Sequence, residues 1–107
     1  MKNWLLILGF ASLPAFAQQY PSKPVRWIVP FAAGGPADII ARAIHPRLAD
    51  SLGQPVIIDN KVGGNQNIGH AEAARAAPDG YTIVYVVPNV ATNPILYKNM
   101  VDPVKEL

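Results

Sequence analysis

Neutral hydrogen-bond donors recur in three short clusters along this chain. The first holds the backbone amides of Gly34 and Gly35. The second holds the amide of Gly64 with the carboxamides of Asn65 and Asn67, and the third the side chains of Asn89, Thr92 and Asn93. Lys61 is the only cation beside them, and Asp38 follows the first cluster at helix-cap distance. Di- and triphosphates recruit Lys, Arg or Mg²⁺, so a donor set this weakly charged suits a singly charged carboxylate. Each cluster also has a bland reading. Gly34-Gly35 can be a tight turn, Asp38 a helix cap that offsets the positive end of its helix, and Asn89 and Asn93 turn closers.

The clusters sit where strands end. Val25–Val29 (VRWIV) is an apolar run rich in β-branched residues that stops at Pro30, and Phe31–Gly35 then feeds a helical pattern. Val56–Asp59 is a second strand, with Val62–Asn65 its loop and Ile68–Ala77 its helix. Tyr81–Val87 is a third strand, followed by a polar loop over Pro88–Asn93. Strands joined by crossover helices run parallel with right-handed connections. All three donor clusters therefore gather on the carboxyl edge of one sheet, where ligands of open α/β sheets bind.

In the first predicted helix, Ile40, Ala43, Ile44, Leu48 and Leu52 recur at three- and four-residue spacing as one buried face, with Arg42 and Arg47 pointing away. Gly35 suits its N-cap, Pro36 its first position and Gly53 its end, and Pro46 should bend it. The second helix is alanine-rich, which suits close packing on a sheet, and Pro78-Asp79-Gly80 terminates it. Trp27 and Tyr85 read as core, Asp59 as a solvated strand-end carboxylate, and His45 and His70 as solvent-facing helix residues.

Residues 1–17 read as a signal peptide. A short basic start precedes the apolar Trp4–Phe10, and Ala15-Phe16-Ala17 has the small-x-small form of a cleavage site, leaving Gln18 as the mature N-terminus. The apolar stretch is shorter than the ~20 residues that span a bilayer. Export makes the periplasm the expected compartment. Zero cysteines exclude a disulfide framework, a thiol nucleophile and a lipid anchor. Two separated histidines give no basis for a zinc site. Interspersed charges with a net of +2 give none for nucleic-acid binding.

From about Tyr20 to Leu107 the chain resembles the substrate-binding proteins of tripartite tricarboxylate transporters, the Bordetella uptake-gene family. The resemblance rests on YPSKPVRWIVPFAAGGPADIIAR, LGQPVIIDNKVGG, NIGHAEAARAAPDGYT and NPILYKN…DPVKEL, in order and with near-normal spacing. It implies an α/β fold of the type II periplasmic-binding-protein class, in which two lobes close on a small organic acid or amide, with no cofactor. It also implies membrane subunits of the transporter as partners. Family members run to roughly three times this length. Residues 18–107 are therefore expected to be the N-terminal part of the first lobe, a partial receptor without useful affinity of its own. Phe31, Ala32, Ala33, Gly34 and Gly35 match the loop that holds a ligand carboxylate through backbone amides and water. Gly63–Asn67 matches a second contributing loop whose usual form is Gly-Ala-Gly-Gly-Asn, so Asn65 and Gln66 replace small residues. The third loop ends in the family's Asn93-Pro94. The resemblance thus places Asp38, Gly64, Asn65, Asn67, Asn89, Thr92 and Asn93 around the ligand as well.

The competing function is an exported α/β enzyme or nucleotide-binding domain whose catalytic residues lie beyond Leu107. Against it, Ala32-Ala33-Gly34-Gly35 is not G-x-G-x-x-G, no G-x-x-x-x-G-K-[ST] is present, and no nucleophile–base–orienter set is visible. The reading favoured is a binding protein, not an enzyme.

Overall fold

The computed structural model describes residues 17–98 and 100–107; the signal-peptide reading falls almost wholly outside them. Six elements follow one another: β1 (Val25–Val29), α1 (Pro36–Leu52), β2 (Val56–Asn60), α2 (Asn67–Arg75), β3 (Thr82–Val84) and α3 (Asn89–Leu96). The three strands form one parallel sheet in the order β2-β1-β3. Trp27 lies opposite Ile58 on one side and Ile83 on the other.

β1 is the central strand, and its Val25, Ile28 and Val29 form the core with Val56 and Ala41. A strand buried on both faces reads as a nearly continuous apolar run, as this one does. The helices cover opposite faces. Asn60 of β2 bonds α1, whereas Arg26 of β1 bonds Glu72 of α2, and side chains alternate across a strand. All three strand C-termini consequently share one edge. No helix of the described residues is long and apolar enough to cross a membrane.

Several local expectations are corrected. β3 ends at Val84, not Val87, its last pairing being Val84 with Ile28. β1 stops before Pro30, and the last ladder bond runs from the Tyr85 amide to the Ile28 carbonyl at 2.9 Å. β2 extends one residue to Asn60. α2 ends at Arg75 rather than Ala77, since Pro78 disfavours helical backbone before it.

α1 is rotated from the expected face. Asp38 and Ala41 are its buried residues, with Leu48 and Leu52 partly covered, while Ile39, Ile40 and Ile44 are 60%, 47% and 48% exposed. Apolar spacing marked the wider stripe, but the polar anchor at Asp38 fixes which side meets the sheet. Pro46 lies inside the helix and leaves the Arg42 carbonyl without its usual donor. The His45 ring supplies one, Nδ1 lying 2.9 Å from that oxygen.

His70 is not solvent-facing. It is buried under the sheet at 1% exposure, with Nε2 unpartnered, and burial pushes its pKa down so that it stays neutral. Trp27 and Tyr85 are half-buried rather than core.

Candidate functional site at the carboxyl edge of the sheet

The first loop is organised by a carboxylate. Gly34 takes the left-handed φ of +83° and Gly35 the extended N-cap conformation, with no side-chain cap. Asp38, 2% exposed, folds back from the first turn of α1. Its Oδ2 accepts the Gly34 amide at 2.8 Å and Arg42 Nε at 2.8 Å, and its Oδ1 accepts Asn60 Nδ2 at 3.0 Å. The same Asn60 nitrogen donates to the Phe31 carbonyl at 3.0 Å. Arg42, then the Gly34 amide and Asn60, hold the Asp38 pKa down at about 2. Asp38 therefore builds the loop, and Arg42 leans over it rather than pointing away.

This arrangement changes which amides can meet a ligand. The Gly34 amide is taken by Asp38 and the Gly35 amide by the Ala32 carbonyl at 3.1 Å. Among the described residues the loop amides of Ala32 and Ala33 and the first-turn amides of Ala37 and Asp38 make no hydrogen bond, which leaves them as available donors. Phe31 packs its ring edge-on against Tyr85, centroids 5.9 Å apart, and so ties the loop to the exit of β3.

The second loop is built from carboxamides. Gly63, Gly64, Asn65 and Gln66 all have positive φ, at 129°, 56°, 51° and 68°. Two of the four are not glycine, and such backbone is uncommon for a residue as long as Gln. Asn67 donates to the Gly64 carbonyl through both its amide, at 3.1 Å, and its side chain. α2 then passes close under both loops: a Cβ on Gly69 would lie 2.7 Å from Pro30 Cβ and 3.2 Å from the Lys61 carbonyl.

The third polar loop is in fact a helix. Asn89, Thr92 and Asn93 all lie on α3, whose N-cap is Pro88. The turn reading missed that Asn89 and Asn93, four residues apart, share one helix face. That face meets loop two. Asn93, 2% exposed, donates from Nδ2 to the Asn65 carbonyl at 3.1 Å and to Asn67 Oδ1 at 3.5 Å, and accepts Asn65 Nδ2 at 3.2 Å. Asn89 donates to Gln66 Oε1. Thr92 is exposed and returns its hydroxyl to the Asn89 carbonyl at 3.2 Å.

Charge enters from behind. Arg26 pairs with Asp59 and Glu72, and Lys61 Nζ stands 3.8 Å and 3.6 Å from the same two carboxylates. Asp59 is thus paired, not merely solvated, and Arg26 lowers the Glu72 pKa. Lys61 shares the edge with Arg42, so it is not the only cation there. Two cavities, about 290 and 200 Å³, lie elsewhere, between α2 and residues 100–107. The loop edge itself is an open wall.

Residues 40–107 match the family model described as the tripartite tricarboxylate transporter family receptor. The chain belongs to that family. Protein BugT of Bordetella pertussis is 45% identical over 90 residues, covering 78% of this chain and 28% of BugT. The structure of periplasmic binding protein BugD shares 46% identity at a TM-score of 0.71, over 75% of this chain and 27% of BugD. Rpa4515 of R. palustris, solved with adipate, shares 39% identity at a TM-score of 0.74, over 80% and 29% of the two chains. The receptor chain described here spans less than a third of the curated relatives it matches. Its expected fold class is the one found, a periplasmic-binding-protein α/β fold with a parallel sheet flanked by helices.

Among the candidate residues, the receptor's structure brings the first-loop set (Phe31 to Gly35, Asp38) and the second-loop set (Gly64, Asn65, Asn67, Asn89, Asn93) to one edge, each internally bonded. Thr92 stands apart on the exposed side of α3. Sequence reasoning missed Asn60, Arg42 and Gln66 as site builders. The i, i+4 spacing of Asp38 and Arg42 was the available signal for one of them. Asn60 and Gln66 depend on tertiary pairing and carried none.

Proposed function

We propose that this receptor chain supplies one wall of the cleft that captures a small organic acid, or its amide, in the periplasm. The captured ligand is passed to the membrane subunits of a tripartite transporter. One observation carries the reading: two loops at the carboxyl edge of a parallel sheet are each pre-shaped by internal bonds and present neutral N–H donors. Arg42 and Lys61 at that edge are engaged by Asp38 and by Asp59 and Glu72, so the remaining donors are neutral and suit a carboxylate better than a phosphate. The reading is binding without turnover, and among the described residues the edge pairs no nucleophile with a base. Export with cleavage after Ala17 and residues 18–107 as part of the first lobe complete the reading. Adipate bound to a 39%-identical relative supports a dicarboxylate as the first ligand to try.

The test is a graft. Residues 20–107 replace the matching stretch of Rpa4515, and the product is titrated calorimetrically with adipate, malonate, phosphate and ATP. Saturable binding of a carboxylate with no product formed is expected. A folded graft that binds phosphate or ATP in preference to every acid overturns the assignment.

A further inference from the structure

Loop two holds a backbone shape that its sequence disfavours, and α3 is what meets it. Left-handed φ at Asn65 and Gln66 is disfavoured relative to glycine, more so for Gln66 than for Asn65. Such strain persists only where surrounding contacts over-determine it. Here each strained residue has its own partner on α3: Asn65 exchanges two hydrogen bonds with Asn93, which also donates to the neighbouring Asn67, and Gln66 is bonded by Asn89. The pairing is in register, because residues four apart on the helix face meet residues adjacent in the turn.

We propose that Asn89 and Asn93 form a clasp that holds loop two in its ligand-presenting shape, acting as positioning residues rather than ligand contacts. Asn93 has no spare donor: both N–H groups are engaged, its oxygen accepts from Asn65, and the residue is 2% exposed. Asn89 uses a donor on Gln66 and keeps its own Oδ1 buried without a partner. The clasp holds the side-chain oxygen of Gln66 against α3. It is built wholly of carboxamides, none of which titrates. The inference rests on reading the loop edge as a carboxylate site.

The experiment separates the two claims. Hydrogen exchange is measured on the full chain without ligand, at the Asn67 and His70 amides, which bond the Gly64 and Gln66 carbonyls. The Lys61 and Tyr85 amides at the sheet end are the reference. Asn89→Ala is expected to speed loop exchange about tenfold and leave the reference unchanged, and Asn93→Ala to do more. Adding Gln66→Gly to Asn89→Ala should restore the parent rate, because glycine takes positive φ without being held. Unchanged loop exchange in Asn89→Ala, or no rescue by glycine, overturns the clasp even if Asn93→Ala unfolds the chain. In the graft, Asn89→Ala should weaken adipate binding about tenfold and Gln66→Gly should return it. Affinity unmoved while loop exchange rises overturns the positioning role. A graft that binds no acid while exchange behaves as expected counts against the carboxylate reading alone.

Discussion

The two loops at the carboxyl edge of the sheet solve the same problem with different chemistry. Loop one is held by a charge: Asp38 gathers the Gly34 amide, Arg42 and Asn60. Loop two is held by neutral carboxamides exchanged with α3. One carboxylate with four acceptor sites can satisfy several donors at once and draws a cation to itself. Carboxamides must be matched one to one, and so require a second element carrying its own pair. The charged solution lies mostly within one turn of α1, with Asn60 of β2 its one partner distant in sequence. The neutral solution is long-range, and it makes a distant helix part of the site.

The largest effect is expected where both loops share a support. Gly69→Val places a branched side chain against Pro30, at the root of loop one, and the Lys61 carbonyl, at the root of loop two. It should cost about 1–3 kcal/mol, read as a lowered urea midpoint, with exchange rising in both loops together. A change confined to one loop would show that the two are not coupled through α2.

Asp38→Asn should loosen loop one alone. The Gly34 and Ile39 amides should exchange faster while Asn67 and His70 keep their rates, and melting should fall in temperature.

Acid should separate the loops without mutation. The Asp38 pKa is about 2 in the fold against 3.8 for the free side chain, so the stability it lends is complete above pH 3.8 and is lost as pH falls toward 2. The clasp does not titrate, but His70 beneath it does. Its pKa is depressed by burial, so its contribution is present above 6.5 and declines below that. Nuclear magnetic resonance shifts followed from pH 8 to 2 should therefore move first around His70 and last around Gly34. The reverse order would mean that the charges are assigned to the wrong loops.

The smallest effect belongs to Thr92→Ala. Its hydroxyl is exposed and bonds only its own helix, so stability should stay within about 0.5 kcal/mol. A drop in adipate affinity of the graft at unchanged stability would make Thr92 a direct ligand contact that the apo geometry does not display.

Much of this was legible in the residues. VRWIV stopping at Pro30, the double glycine and the Pro36 helix start specify strand, turn and helix through local chemistry alone, and they came out within a residue. Parallel order followed from the crossovers. Three things were hidden because they are decided by partners distant in sequence. β3 is short because only Arg26, Trp27 and Ile28 of β1 pair with it. α1 is rotated because Asp38 needs Asn60. Asn89 and Asn93 sit on a helix, where local turn preference pointed to a loop, because loop two accepts their carboxamides. His70 was misplaced for the same reason, its ring buried by contacts that no window around it contains.

The strand order also sets a sequence of events. β2 and β3 both bond to β1 and not to each other, and the β1–β2 pairing closes a shorter stretch of chain than β1–β3. Closure entropy grows with length, so the β1-α1-β2 unit should assemble first, taking loop one with it. β3 docks afterwards, and α3 follows β3 along the chain. Loop two is then the last part of the binding edge to acquire its shape. A folding intermediate with one finished loop and one slack loop should precede the native state, and stopped-flow exchange labelling would find Gly34 protected before Asn67.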